Sequence, residues 1–137
     1  MAETVTNRGK FLILSDGADA LDLRMLVILG TPTGVNDPDL NTVAELDAVS
    51  GVSIHSERIA LTGETVTEDD VNNRAAADCG DVTFAAAAGV TAQGVAVYSE
   101  GNGTDAGRPV IAIYTTGFPQ PMDGGLLVEI ADWLRGT

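Results

Sequence analysis

The chain is poor in the side chains that carry out chemistry. Its 137 residues include one cysteine, one histidine and one lysine. A lone Cys79 forms no intramolecular disulfide, which fits folding in a reducing cytosol. Reactive thiolates need electropositive neighbours, whereas Cys79 stands between Asp78 and Asp81. It reads as a small, buried or half-buried apolar residue. A zinc site needs three or four Cys or His ligands at set spacings, which Cys79 and His55 do not supply. His55 has Ser53 and Ser56 nearby in sequence. Adjacency along a strand does not create attack geometry, and no Gly-x-Ser-x-Gly turn is present. Lys10 lies in Gly9-Lys10-Phe11, so the phosphate-cradling Gly-x-x-x-x-Gly-Lys-Ser/Thr loop is missing. These absences predict a protein that is not an enzyme and holds no cofactor or metal.

Aromatic residues make up only 4% of the chain. Twenty acids always provide carboxylate pairs, but a glycosidase cleft also wants aromatic platforms. Positive charge is equally scarce, with 7 Lys and Arg against 20 Asp and Glu, a net charge of −13. Such a surface repels nucleic-acid phosphates and anionic membranes, and excludes both as partners. The longest apolar runs, such as Met25 to Leu29, are far too short to span a bilayer. Met1 to Thr6 is polar and lacks the apolar core of a secretion signal, which predicts synthesis in the cytoplasm.

What the chain does contain is glycine-punctuated strand pattern. Sixteen glycines favour turns and close backbone approaches over long helices. Asp22 to Leu29 is a near-continuous apolar run, as in a strand buried on both faces. Glu57 to Thr62 alternates polar and apolar residues, as a half-buried strand does. Asp81 to Ala85, Val95 to Tyr98, Pro109 to Thr115 and Leu126 to Ile130 are further strands, and Trp133 and Leu134 anchor the end of the last. One short helix is expected over Leu40 to Val49, capped by Asp37-Pro38-Asp39. Phe11 to Leu14 fits either a strand or the last turn of a short helix, and Glu64 to Ala77 is too polar for assignment. The pattern predicts a mainly β fold: an antiparallel sandwich or barrel of six to seven strands with one short helix. Residues 1–10 read as a polar arm and residues 11–137 as a single β-rich domain.

Three motifs carry a sharper alternative. Gly101-Asn102-Gly103-Thr104-Asp105-Ala106-Gly107 superficially resembles a dinucleotide fingerprint. Its third glycine is one residue late and it joins two strands, so it reads as the extended, mobile tip of a hairpin. Asp16, Asp19 and Asp22 form one acidic cluster and Glu68, Asp69 and Asp70 another. Neither matches a calcium loop, and both read as solvated turns.

Two stretches resemble the small virion structural proteins of tailed bacteriophages. One is Thr4-Val5-Thr6-Asn7-Arg8-Gly9 followed by the strand Leu23 to Leu29. The other runs from Arg58-Ile59-Ala60-Leu61-Thr62-Gly63-Glu64-Thr65-Val66-Thr67-Glu68-Asp69-Asp70 through Arg74-Ala75 to Asp81-Val82-Thr83-Phe84. The resemblance covers about the first 85 residues and contains no catalytic motif. It implies a head decoration or minor capsid protein on the virion exterior, bound to the major capsid protein and often trimeric. Some proteins of this kind are tail or fibre components instead. The glycine-rich 99–107 loop is a departure whose role the resemblance does not explain.

The expected mechanism is burial of apolar patches between copies, with open strand edges or the arm pairing onto the shell. Thr4, Val5, Thr6, Asn7, Arg8 and Lys10 of the arm are the candidate capsid contacts, ordered on binding. Trp133 is placed in the core or at a subunit seam, and loops 31–39 and 99–107 on the outer face. A host-surface binding module of the tail and a calcium-dependent binding domain are the rival expectations.

Overall fold

The computed structural model describes residues 3–16, 21–30, 34–35, 37–71, 74–129 and 134–136. Trp133, Asp19, residues 31–33 and residue 36 lie outside the described residues. The architecture is mainly β. In chain order the elements are β1 (Glu3–Val5), α1 (Asn7–Asp16), β2 (Leu23–Gly30), α2 (Val43–Asp47), β3 (Val52–Ala60), β4 (Thr65–Asp69), β5 (Arg74–Asp78), β6 (Val82–Phe84), β7 (Thr91–Ala92), β8 (Gly94–Ser99), β9 (Val110–Tyr114), β10 (Gln120–Pro121), β11 (Leu126–Val128) and β12 (Leu134–Gly136).

A five-stranded antiparallel sheet in the order β1-β9-β8-β2-β3 forms the frame. Its inner strands read Leu-Arg-Met-Leu-Val-Ile-Leu-Gly, Gly-Val-Ala-Val-Tyr-Ser and Val-Ile-Ala-Ile-Tyr. Near-continuous apolar sequence means burial on both faces, and that is what occurs. On one face Met25, Val27, Val95, Val97 and Ile111 pack with Phe84, Met122 and Leu126 from the chain that covers the sheet. On the other, Leu26, Ile28, Ala96, Tyr98 and Ile113 pack with Val35 and with Val43 and Leu46 of α2. Alternation along β2 therefore feeds two separate cores. Smaller sheets, β7 with β10, β6 with β11, and β4-β5-β12, complete the fold.

Residues 3–10 are not a separate arm in this structure. Glu3, Thr4 and Val5 pair with Tyr114, Ile113 and Ala112 on β9. Thr6 is fully buried, and its hydroxyl donates to the Val110 carbonyl and accepts the Gly9 N–H at 2.8 Å. It is the cap from which α1 begins, with the Lys10 N–H bonded to the Thr6 carbonyl at 2.9 Å. A Cβ on Gly9 would stand 2.5 Å from the Ile111 oxygen, so only glycine lets the helix lie this close to β9. Asn7 is tied down by its N–H to the Pro38 carbonyl at 2.8 Å and by Nδ2 to Asp39 at 2.7 Å. The polarity of Thr6-Asn7-Arg8-Gly9 is that of a helix start, and the apolar run from Phe11 belongs to the helix.

The second helix is shorter than expected and starts later. Asp37 is occupied in its own turn, accepting the Asp39 N–H at 2.9 Å. Asn41, Thr42 and Val43 are held against residues 108–110: Val110 N–H bonds to Asn41 O and Val43 N–H to Arg108 O. Extended backbone at residue 42 postpones the helix until Thr42 caps it, with Oγ1 accepting the Glu45 N–H at 3.2 Å. Glu45 reaches back to the Asn41 N–H at 2.6 Å, a close relative of the capping box.

Residues 65–78, polar and left without assignment by pattern, form the β4–β5 hairpin, in register from Thr65 opposite Asp78 to Asp69 opposite Arg74. Val66 lies 53% exposed, so the strand has no buried apolar face to advertise it. Among the described residues, no helix is long and apolar enough to cross a membrane.

Candidate functional site

Among the described residues, a dense cluster of charge lies where the Leu26–Ile28 face of the sheet runs out of apolar cover. Register places Arg24 opposite Tyr98 and Arg58 opposite Leu26, all on that one face. The 100–108 loop folds back over them. Gly101 makes this possible: its φ is +55°, and a Cβ there would lie 2.0 Å from the Gly107 carbonyl. The loop ends in a 3-10 turn over Asp105–Gly107.

Asp105 is the hub. It accepts both arms of Arg58, at 2.6 and 3.0 Å, and Arg108 Nη1 at 2.8 Å. Arg108 Nη2 donates to Glu100 at 2.7 Å. Arg24 Nε faces Glu100 Oε2 at 3.3 Å, close enough for an ion pair but out of line for a hydrogen bond. Arg58 and Arg108 also lie over the Tyr98 ring, 5.6 and 6.0 Å from its centre. The buried Tyr98 hydroxyl makes no well-aligned hydrogen bond, and burial pushes its pKa up against the pull of Arg58.

The carboxylates respond as a paired network must. The hydrogen bonds from Arg58, reinforced by Arg108, hold Asp105 down to about 2. Hydrogen bonds from Arg108 hold Glu100 below its ordinary value. Arg58 is raised by Asp105, and Arg108 by Glu100 and then Asp105. Every cation here is matched by an acid, so the network offers no free base, acid or anion hole. It clamps the 99–107 loop, expected as a mobile tip, to β2 and β3. No residue pattern signalled it: Arg24, Arg58 and Arg108 are far apart in sequence, and strand register alone brings them together.

Other candidates stand apart. His55 is half-buried on β3, an outer strand of the frame, and makes no hydrogen bond to Ser53 or Ser56, both exposed. Between Ile54 and Arg58 the strand bulges against β2, whose partners are only Ile28 and Leu26. Cys79 is half-buried, and burial, with Asp78, Glu64 and Asp81 behind it, pushes its thiol up to about 11. Among the described residues, no group of three or more His, Cys, Asp or Glu is placed to hold a metal ion. Asp22 sits 3.5 Å from Arg24, while Glu68 and Asp70 are exposed.

Of the expected contact residues, Thr4 and Val5 are half-buried in the sheet and Thr6 is buried. They are structural pieces of the frame. Asn7, Arg8 and Lys10 are exposed along α1 and stand beside Phe11, which is itself 58% exposed. Arg8 lies over the Phe11 ring at 5.1 Å. Exposed large apolar side chains recur at Val66 and Val71 on the β4–β5 hairpin and at Leu127 on β11. Phe11 escaped the sequence reading because the run Phe11 to Leu14 looks uniformly buried until helical phase separates Phe11 from buried Leu12. Compared with known proteins, the chain matches no protein-family model, no curated protein and no solved structure.

Proposed function

We propose that this chain is a structural component of a bacteriophage particle, a head decoration protein that binds the outer capsid surface and reinforces it by protein–protein contacts. The reading makes it a contact protein rather than an enzyme, with the major capsid protein and further copies of itself, as a trimer, for partners. One observation carries it: apolar side chains left in solvent at Phe11, Val66, Val71 and Leu127, beside a frame whose own apolar faces are filled. The resemblance of the first 85 residues to phage virion proteins supplies the kind of assembly.

The physical mechanism is simple. A plate braced on both faces adds stiffness wherever its exposed patches are buried against a neighbour. The ion-pair network keeps the loop from fraying, and its strength does not depend on the partner. The acidic surface keeps unbound copies apart in solution.

Purified particles test the reading directly. Quantitative mass spectrometry should find this chain in a copy number commensurate with the capsid lattice, and immunogold should label heads. Label on tails, at a low copy number, moves the protein to the tail assignment. Absence from the particle refutes a structural role.

A further inference from the structure

The exposed apolar side chains are not scattered at random with respect to charge. Phe11, 58% exposed, lies on α1 with exposed Arg8 and Lys10 as its neighbours. Val66 and Val71, 53% and 94% exposed, lie on the β4–β5 hairpin with exposed Glu68 and Asp70. On α1 the described charges beside Phe11 are positive, and on the hairpin the described charges lying between Val66 and Val71 are negative. None of these four charged side chains forms an ion pair with another described side chain. Arg24, Arg58 and Arg108 are all engaged with acids of their own fold.

We propose that the α1 patch of one copy docks on the β4–β5 hairpin of a second copy. This rests on the structural reading above and deepens it by naming the two surfaces and the partner. Charge complementarity selects the occupant. Copies carrying −13 each repel, so contact is favoured only where a cationic rim meets an acidic one. Either patch paired with itself would set like charges face to face. The contact is therefore heterologous, joining two different surfaces, and it closes into a ring when the rotation between copies permits. Phe11 supplies the anchor, as aromatic side chains do at the centres of interfaces, and Arg8 braces its ring. A contact this small is weak between free copies and strengthens when a scaffold holds them side by side.

Sedimentation equilibrium of the full chain, from micromolar to millimolar concentration at low salt, reads the contact. The wild type should self-associate, and raised salt should weaken it. Lys10→Glu and Glu68→Lys should each weaken association by about tenfold, because an attraction becomes a repulsion. The charge-swapped double variant should recover to within about threefold of wild type. Phe11→Ser should abolish association while lowering the melting temperature by no more than a few degrees, which separates docking from folding. A wild type that stays monomeric, singles that associate normally, or a double variant no better than the singles overturns the proposal. So does a patch that engages only some other molecule. The two readings fail separately: a monomeric chain found in lattice copy number on particles sinks this contact alone, and a chain that associates by the charge-swap rule yet is missing from particles sinks the decoration role alone.

Discussion

Removing the hub of the ion-pair network should cost the fold a measurable and pH-dependent amount. In Asp105→Ala, Arg58 and Arg108 lose three hydrogen bonds and keep their burial, with side chains only 22% and 19% exposed. Exposed pairs contribute about 0–1 kcal/mol and breaking a fully buried one costs about 3–5 kcal/mol. Depression of Asp105 from 3.8 to about 2 would correspond to roughly 2.4 kcal/mol in a shielded site. The carboxylate is 36% exposed, and solvent screening leaves about half of that. Adding Arg58 left unpaired, while Arg108 keeps Glu100, brings the expected loss to about 2 kcal/mol, or a melting temperature lower by about 8 °C for a chain of this size. Urea unfolding at neutral pH measures it. The sign with pH follows from the depressed value: the stabilisation is complete above the ordinary carboxylate pKa of 3.8 and is lost as pH falls through about 2. The gap between wild type and Asp105→Asn should therefore narrow from pH 4 towards pH 2. A loss at neutral pH smaller than about 0.5 kcal/mol, or a gap that does not narrow in acid, would refute the reasoning.

Three further outcomes follow from single positions. Gly9→Ala forces a Cβ to within 2.5 Å of the Ile111 oxygen and should cost about 2–4 kcal/mol in urea unfolding; a wild-type midpoint would show that α1 does not lie on β9. Thr6→Val keeps the shape but strips a buried hydroxyl from the Val110 carbonyl and the Gly9 N–H, for about 2 kcal/mol, whereas Thr6→Ser should recover most of it. Cys79, with its thiol raised to about 11, should react with alkylating reagents at neutral pH roughly a hundredfold more slowly than a free cysteine, and faster only as the solution becomes strongly alkaline. Reaction at the rate of a free thiol would place Cys79 in a different environment.

The frame was legible because its inner strands are buried on both faces. Continuous apolar runs at Leu23–Gly30, Gly94–Ser99 and Val110–Tyr114 leave no alternative period to compete. What stayed hidden was set by contacts distant in sequence or by burial that never happens. β4 carries Thr-Val-Thr, good strand formers, followed by Glu-Asp, poor ones, with no buried stripe, so polarity masked a hairpin. The helix expected from Leu40 is cut short by pairing of residues 41–43 with residues 108–110, which no local pattern records. Thr6 and Gly9 looked like parts of a loose arm because their reasons lie on β9, about a hundred residues away. The arginine network is the same lesson in charge: its members are ordinary surface residues until the register of β2, β3 and β8 is known.

That frame also bears on how copies would meet in the proposed contact. Open sheet edges were one expected route to assembly beside burial of apolar patches, since unpaired backbone groups invite another strand. The edges of the main sheet are poor templates. One is β1, three residues long and followed at once by α1. The other, β3, is long enough, but the bulge between Ile54 and Arg58 breaks its ladder midway. Bulges and very short strands are the usual defences of an edge against unwanted pairing. With the edges of the main sheet protected in this way, the contact proposed above runs through side chains. Side-chain patches are also easier to make selective, because opposite rims permit one orientation and penalise the rest. If backbone addition were the operating mode instead, a proline at an outward-facing N–H of β3 would prevent assembly and the Lys10–Glu68 charge swap would leave it untouched.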